Sequence, residues 1–465
     1  MPETRRDRER RTGRRRRTVV PRTSQAVYEP SADRPDPIAV LDAENAARIP
    51  ALVPVRWGRM VESPLAFMRG AAGLMAADLS RTPSTGLHVQ LCGDAHMANF
   101  GVFASPERRL LFDVNDFDET TPGPWEWDLK RLAASAVVIG RVSRLEPEHQ
   151  EAAAHAVARA YRRHMLRYAG MGELEVWYER VDAKAALRTI GRRAPGPVRA
   201  AVAGAHRQTS QAELPEMTVR TDGGQRRIAD HPPLVTHDGV DEHAQAVHGV
   251  LAKYPASLES DRRVLLERFE LVDLALKVVG VGSVGTRCFV ALLLSDIGDP
   301  LFLQVKEAGR SLLAPFVPRR PGRATPGAAP GAHPSAGESP RAGGRRVVAG
   351  QRLMQAASDI FLGWSTTGDT DFYVRQLRDM KGTVNTTSLG PRGLVAYAKL
   401  CGWALARAHS RSGAAAQIAG YAGNGGVLDD AITRFALAYA DQTEADHALL
   451  LEAVRSGRIV ATPGL

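Results

Sequence analysis

The chain has 465 residues, 44% of them hydrophobic and 24% charged, with a formal net charge of +10 at pH 7. That length anticipates two or three domains, or one two-lobed enzyme with extensions, and the apolar content suffices for a sizeable core. No apolar run reaches the roughly eighteen residues of a membrane span, and no apolar stretch follows the N-terminal arginines to make an export signal.

Three scattered cysteines, Cys92, Cys288 and Cys401, suit reduced thiols and a cytoplasmic location. Residues 1–50 lack hydrophobic periodicity and hold several prolines, so a disordered basic tail is expected there. Nine arginines and three acids lie within residues 1–17, which puts +6 on that arm and leaves +4 on the other 448 residues. Such an arm can bind nucleic acid through counterion release, although no aromatic residues interleave with it and no nucleic-acid fold signature adjoins it. From Arg56, WGRMVESPLAFMRGAAGLMAADLSR carries Met60, Leu65, Phe67, Ala71, Leu74 and Met75 at helical spacing; its Ser-Pro break predicts two short helices. Arg69 in this stretch is a candidate to reach the acidic residues that follow.

Leu91 to Asp128 gathers Asp94, His96, Asn99, Asp113, Asn115, Asp116, Asp118, Glu119 and Asp128 around two short apolar runs that read as strands. Unneutralised, so many carboxylates repel one another, so a cation or a basic partner is implied. Asp94 and Asn99 stand five apart in G-D-x-H-x-x-N, the interval of the D-x-x-x-x-N catalytic loop of protein kinases. There the Asp accepts the proton of an attacking hydroxyl and the Asn oxygen holds a metal. Asp116 in VNDFDE takes the place of the kinase metal-binding Asp, with Asp113 as a rival because it too ends an apolar run. With phosphates completing the shell, one carboxylate and one amide suit Mg²⁺. His96 and the later Trp127-Asp128-Leu129 strengthen the similarity to the aminoglycoside- and choline-kinase branch, with His96 and Asp128 bracing the loop. The alternative for the cluster is a structural Ca²⁺ site or a set of helix caps.

DLKRLAASAVVIGRV and EPEHQEAAAHAVARAYRRHMLRYAGM then read as strong helices. His231, His237, His243 and His248 follow without zinc spacing. At 266–308 the texture turns to β. Gly280, Gly282 and Gly285 form a G-x-G-x-x-G between two strand patterns, which argues against a dinucleotide turn and for a kinase-like loop over ATP phosphates. LFLQVKEA then delivers Lys306 as the kinase V-A-I-K strand delivers its lysine. These elements follow the catalytic loop by about 190 residues, the reverse of the kinase order, so a circular permutation is expected. Residues 316–345 read as a flexible Pro/Gly/Ala-rich insertion. RRVVAGQRLMQAASDIFLGW is a helix standing where a kinase would offer the lysine a Glu, yet it has none. YVRQLRDMKG reads as an edge or hinge strand, and LVAYAKLCGWALARAHSRSG resembles the L-A-x-x-H helix that normally leads into a phosphotransferase catalytic loop.

SPLAFMRGAA, GDAHMANFG, NDFDET, GPWEWDLKRLAAS, VVGVGSVGTRC, QVKEA, GQRLMQAASDIFLGW and YVRQLRDMKG together resemble the bacterial domain-of-unknown-function 2252 family over roughly residues 50–460. The chain departs from that pattern at Met68, where members usually have an aromatic residue. It departs again at Ala349, where they often have an acid. The expectation is a two-lobed α+β, protein-kinase-like fold. A helical catalytic-loop lobe would span 51–260, a β-rich glycine-loop segment 261–315, and the rest of the small lobe, the hinge and the final helices 346–465. The expected activity is ATP- and Mg²⁺-dependent phosphoryl transfer to an unidentified hydroxyl on a small molecule or protein. A nucleotide-binding pseudokinase, a nucleotidyl transferase and a nucleic-acid-binding protein are the alternatives.

Overall fold

Helix Trp125–Val142 is buried along nearly its whole length, and the helical body of the protein assembles around it. A helix that buries residues on every side is stable only when enclosed. Helices Pro147–Tyr168, Pro391–Ser410 and Val427–Arg455 enclose it. In this computed structural model residues 3–190, 196–318, 342–377 and 379–464 are described, so the insertion expected at 316–345 lies mostly outside the described residues. The architecture is α+β.

Two short ladders sit on the helical body. His88–Leu91 pairs antiparallel with Thr121–Pro124, and Phe100–Ala104 pairs antiparallel with Leu110–Val114. The loops 92–99 and 115–120 therefore join neighbouring strand ends. A separate antiparallel sheet of six strands runs in the order Gly363–Thr367, Thr370–Gln376, Pro300–Glu307, Cys288–Ser295, Phe269–Lys277, Val235–Thr236. Of the edge or hinge strand expected at YVRQLRDMKG, the edge alternative does not hold: the strand carrying Tyr373 and Arg375 is paired on both sides. Helix Gly343–Met354 packs on the first two strands of that order. The Ser-Pro break behaves as anticipated: Ser63 caps Pro64–Gly70 through the Ala66 amide, and Ala72–Ser80 follows.

The N-terminal expectation is overturned. Residues Arg5–Val19 form a helix with a Thr4–Asp7 capping box, packed against Ala415–Ala422. The two helices touch backbone to backbone because glycines meet: a Cβ on Gly13 would collide with the Gln417 carbonyl, and one on Gly420 with that of Arg10. Arg17 donates to the Tyr421 carbonyl at 2.8 Å and Arg22 to that of Ala422 at 2.9 Å. The arginines thus neutralise the C-terminal end of a helix whose last carbonyls lack intrahelical partners. An arginine-rich composition reads as solvated tail only while the glycine contact is invisible. Among the described residues no helix is long and apolar enough to cross a membrane, and all three cysteines are buried free thiols.

Candidate functional site

The first half of helix Trp125–Val142 carries buried charges that hold the loop before Asn99 in place. Asp128 accepts from the Cys92 amide at 2.8 Å and the Gly93 amide at 3.1 Å. Its Oδ2 also lies 3.0 Å from His409 Nε2, while His409 Nδ1 meets the Tyr161 hydroxyl at 2.9 Å. Gly93 has φ +87°, and a Cβ there would collide with the Glu119 carbonyl, so the loops after Leu91 and Val114 can pass in contact only at glycine. One turn along from Asp128, Arg131 donates to Asp94 Oδ1 at 2.7 Å and to the Met68 carbonyl at 2.7 Å. Burial would raise the Asp94 carboxyl, but Arg131 and His96 hold it well below the usual carboxylate range. Asp94 is therefore an anchored carboxylate.

Asn99 donates its amide to the Asp94 carbonyl at 2.9 Å, which leaves its side-chain oxygen available as a ligand. His96 is 2% exposed, with Nε2 3.5 Å from Asp94 and Nδ1 buried without a hydrogen-bond partner. Burial, more than any charge, lowers its pKa, so the imidazole is neutral at pH 7.

These residues form one wall of a cleft of about 160 Å³; the glycine loop and strand Pro300–Glu307 form the other. Val281–Ser283 is a tight turn over the cleft, and Lys306 is 4% exposed beneath it. Lys306 Nζ pairs with Asp118 and donates to Ser283 Oγ at 2.6 Å; Ser283 meets the same Asp118 oxygen at 3.0 Å. The Tyr373 hydroxyl donates to the other Asp118 oxygen at 2.8 Å. Among the described residues no cation forms an ion pair with Asp116. Burial and the neighbouring Asp118 raise its carboxyl, with Lys306 and Arg375 opposing. An under-neutralised carboxylate beside a free amide oxygen is a donor set that Mg²⁺ accepts when phosphates and water complete its shell. No group of three His, Cys, Asp or Glu side chains gathers for a metal among the described residues.

The family described as an uncharacterized protein conserved in bacteria (DUF2252) matches residues 48–453. The chain belongs to the DUF2252 family. No curated protein and no solved structure matches it. The matched span of this DUF2252 member holds every residue lining the cleft and leaves out the N-terminal helix.

Asp94, His96, Asn99, Asp116, Gly280, Gly282 and Lys306 all line this cleft. Asp128 does not; it braces the loop from behind. Gly285 also stands away, with φ +87° and its carbonyl taken by the Ile49 amide at 2.7 Å. Asp113 is a correction to the expected metal set. Its side chain is turned into the core, where Arg407 Nη2 contacts both carboxylate oxygens, at 2.7 and 2.6 Å. Asp113 lies inside strand Leu110–Val114 on its core side, whereas Asp116 lies in the loop past the strand's end, so the two diverge despite similar local sequence.

The lysine's carboxylate comes from the acidic loop, not from helix Gly343–Met354. That helix contributes Arg346, which donates to the carbonyls of Asp118 and Thr120 at 2.8 and 2.7 Å. The site also takes in Arg131, Asp118, Tyr373, Gln304 and Arg375, to which the sequence patterns give no role. Arg131 had a usable signal: it lies three residues after Asp128 and so shares a helix face with it. Arg375 was reachable only through strand pairing, which sets it opposite Gln304, whose Oε1 accepts from Arg375 Nε at 2.9 Å.

Proposed function

We propose that this DUF2252 member is an ATP- and Mg²⁺-dependent phosphotransferase with a permuted, two-lobed kinase-like arrangement. The observation that carries this reading is the single cleft lined by Asp94, Asn99 and Asp116 from one segment and by the glycine turn and Lys306 from another about 190 residues later. Connectivity supports it too. Strand, glycine turn, strand, lysine strand, helix, then two more strands is the order in which kinases deliver their phosphate-covering loop, their lysine and the helix behind it.

In this reading Lys306 meets the α- and β-phosphates, exchanging part of its contact with Asp118 for them. Amides of the 280–283 turn cover the phosphate oxygens. A divalent cation held by Asn99 and Asp116 would neutralise charge building on the transferred group. Asp94, kept ionised by Arg131, orients the acceptor hydroxyl and takes its proton as the O–P bond forms. The bond from the γ-phosphorus to the β,γ-bridging oxygen breaks, and ADP leaves with the electron pair. Positioning and charge neutralisation supply most of the catalysis.

The test is thermal stability with Mg²⁺-ATP, followed by product analysis. Wild-type protein is expected to gain stability with nucleotide and metal together. Lys306→Ala and Asp116→Ala lose that gain, whereas Asp94→Ala keeps it and loses turnover. Absence of any shift at millimolar nucleotide refutes the reading.

Nucleotidyl transfer is the second reading, favoured by one feature. Gln304 stands two residues before Lys306, where V-A-I-K has Ala, and is tied to Arg375 and to Cys288 Sγ, the latter at 3.3 Å. A polar back wall suits a nucleotide placed in another register. Label appearing in the product from the α-phosphate, not the γ-phosphate, decides for it.

A further inference from the structure

Four arginines surround the glycine turn and Asp94, and three are committed to protein oxygens. Arg48 donates to the Val284 and Gly282 carbonyls, the second at 2.9 Å. Arg59 donates to the Val279 carbonyl, and Arg131 holds Asp94. Arg69 differs. Its Nε, like that of Arg48, is buried without a hydrogen-bond partner, but among the described residues no carbonyl accepts from the rest of its guanidinium and no carboxylate pairs with it. Its side chain lines the cleft with Asp94 and His96. It sits directly under the glycine turn: an added Cβ on Gly280 would lie 3.6 Å from Arg69 Nη2, and one on Gly282 would lie 3.2 Å from the Arg69 carbonyl.

A half-buried guanidinium that faces a cleft with no protein partner is placed to receive an anion there. The neighbouring carboxylates have other partners: Asp94 is taken by Arg131 and Asp118 by Lys306. Arg131 nearby is matched by Asp94, so Arg69 supplies the unmatched positive charge beside the glycine turn. Its place between the turn that would cover the terminal phosphate and the carboxylate that would orient the acceptor is where charge develops on a transferring phosphoryl group.

We infer that Arg69 is a catalytic arginine supplied within the chain, contacting the equatorial oxygens of the γ-phosphoryl group as it passes to the acceptor. The role rests on the phosphotransferase reading and is specific to the transition state. Ground-state binding stays with Lys306 and the turn amides. Arginines in this role are worth on the order of 10³-fold or more in turnover, and a residue acting only in the transition state lowers kcat without raising the nucleotide KM.

The experiment uses the full chain and two probes, Mg²⁺-ADP alone and Mg²⁺-ADP with aluminium fluoride, a planar mimic of the transferring group, read by thermal shift and calorimetry. Wild-type protein is expected to bind the fluoride complex much more tightly than ADP. Arg69→Ala and Arg69→Lys bind ADP as wild type does; Ala loses the gain from fluoride and Lys, lacking the planar fork, recovers only part of it. Arg48→Ala, which loosens the turn itself, weakens both probes alike.

An Arg69→Ala protein that keeps the fluoride gain overturns the inference. So does one that loses ADP affinity in the same proportion, because Arg69 is then a ground-state ligand or a prop for the turn. Failure of wild-type protein to bind ADP at all is a different result: it removes the phosphotransferase reading, and the inference falls with it.

Discussion

Replacing Asp113 by Ala leaves Arg407 enclosed without its counter-charge. Asp113 is 1% exposed and Arg407 fully buried, and Arg407 Nε and Nη1 already lack partners. The guanidinium therefore depends on the two contacts to Asp113 and one to the Met354 carbonyl. Breaking a buried pair from one side costs about 3–5 kcal/mol, and the Ala356 amide, which donates to Asp113 at 3.1 Å, is orphaned as well. Asp116 presents the opposite case. Its charge is raised in energy by burial and by Asp118, so Asp116→Asn is expected to stay within about 1 kcal/mol of wild-type stability, on the stabilising side at pH 7.

Equilibrium urea unfolding with and without Mg²⁺-ATP separates the two residues. Ligand at one hundred times its Kd adds about 2.7 kcal/mol. Asp113→Ala is expected to keep that increment on a much lower baseline, and Asp116→Asn to lose it on a normal one. Adding Arg407→Met to Asp113→Ala should restore a large part of the loss, since the uncompensated charge is gone. The reasoning is refuted if Asp113→Ala costs less than about 1 kcal/mol while abolishing the nucleotide increment, because Asp113 is then a ligand and not a core counter-ion.

Glu119 gives a pH signature. Burial pushes its carboxyl up to about 7, with Arg346 opposing. The folded state thus binds this proton more tightly than the unfolded state, and the stability it confers is fully present below the ordinary Glu pKa and is lost as pH rises through about 7. Glu119→Gln should therefore raise the melting temperature relative to wild type more at pH 8 than at pH 5.5; an equal difference at both would count against it. Gly13→Ala, which in an open helix gains up to about 1 kcal/mol, is expected here to lose about 1–3 kcal/mol in urea unfolding, because the new methyl wedges two helices apart. A stabilised Gly13→Ala protein would show that the N-terminal helix does not dock.

The kinase-type spacing, the acidic cluster and the glycine–lysine strand pair were legible in the sequence because each is a local pattern: a five-residue interval, a turn signal between strands, a lysine after alternating apolar residues. So was the helical body, whose period of 3.6 survives through Trp125–Val142 and Val427–Arg455. The rest turned on distance along the chain. Asp113 and Asp116 have nearly the same local context, and only the position of Arg407, almost 300 residues on, makes one a core counter-ion. The lysine's partner could not be read from the helix that lacks Glu, since Asp118 reaches it from 188 residues earlier. The N-terminal arginines look like tail by composition, and become structure because Gly13 and Gly420 let two backbones meet. Composition and periodicity determine which segments form elements and which residue types could do chemistry. Which charges are spent on one another, and which, like Arg69, are left facing the cleft, is settled by tertiary packing, because the cost of an unpaired charge depends on what surrounds it in space.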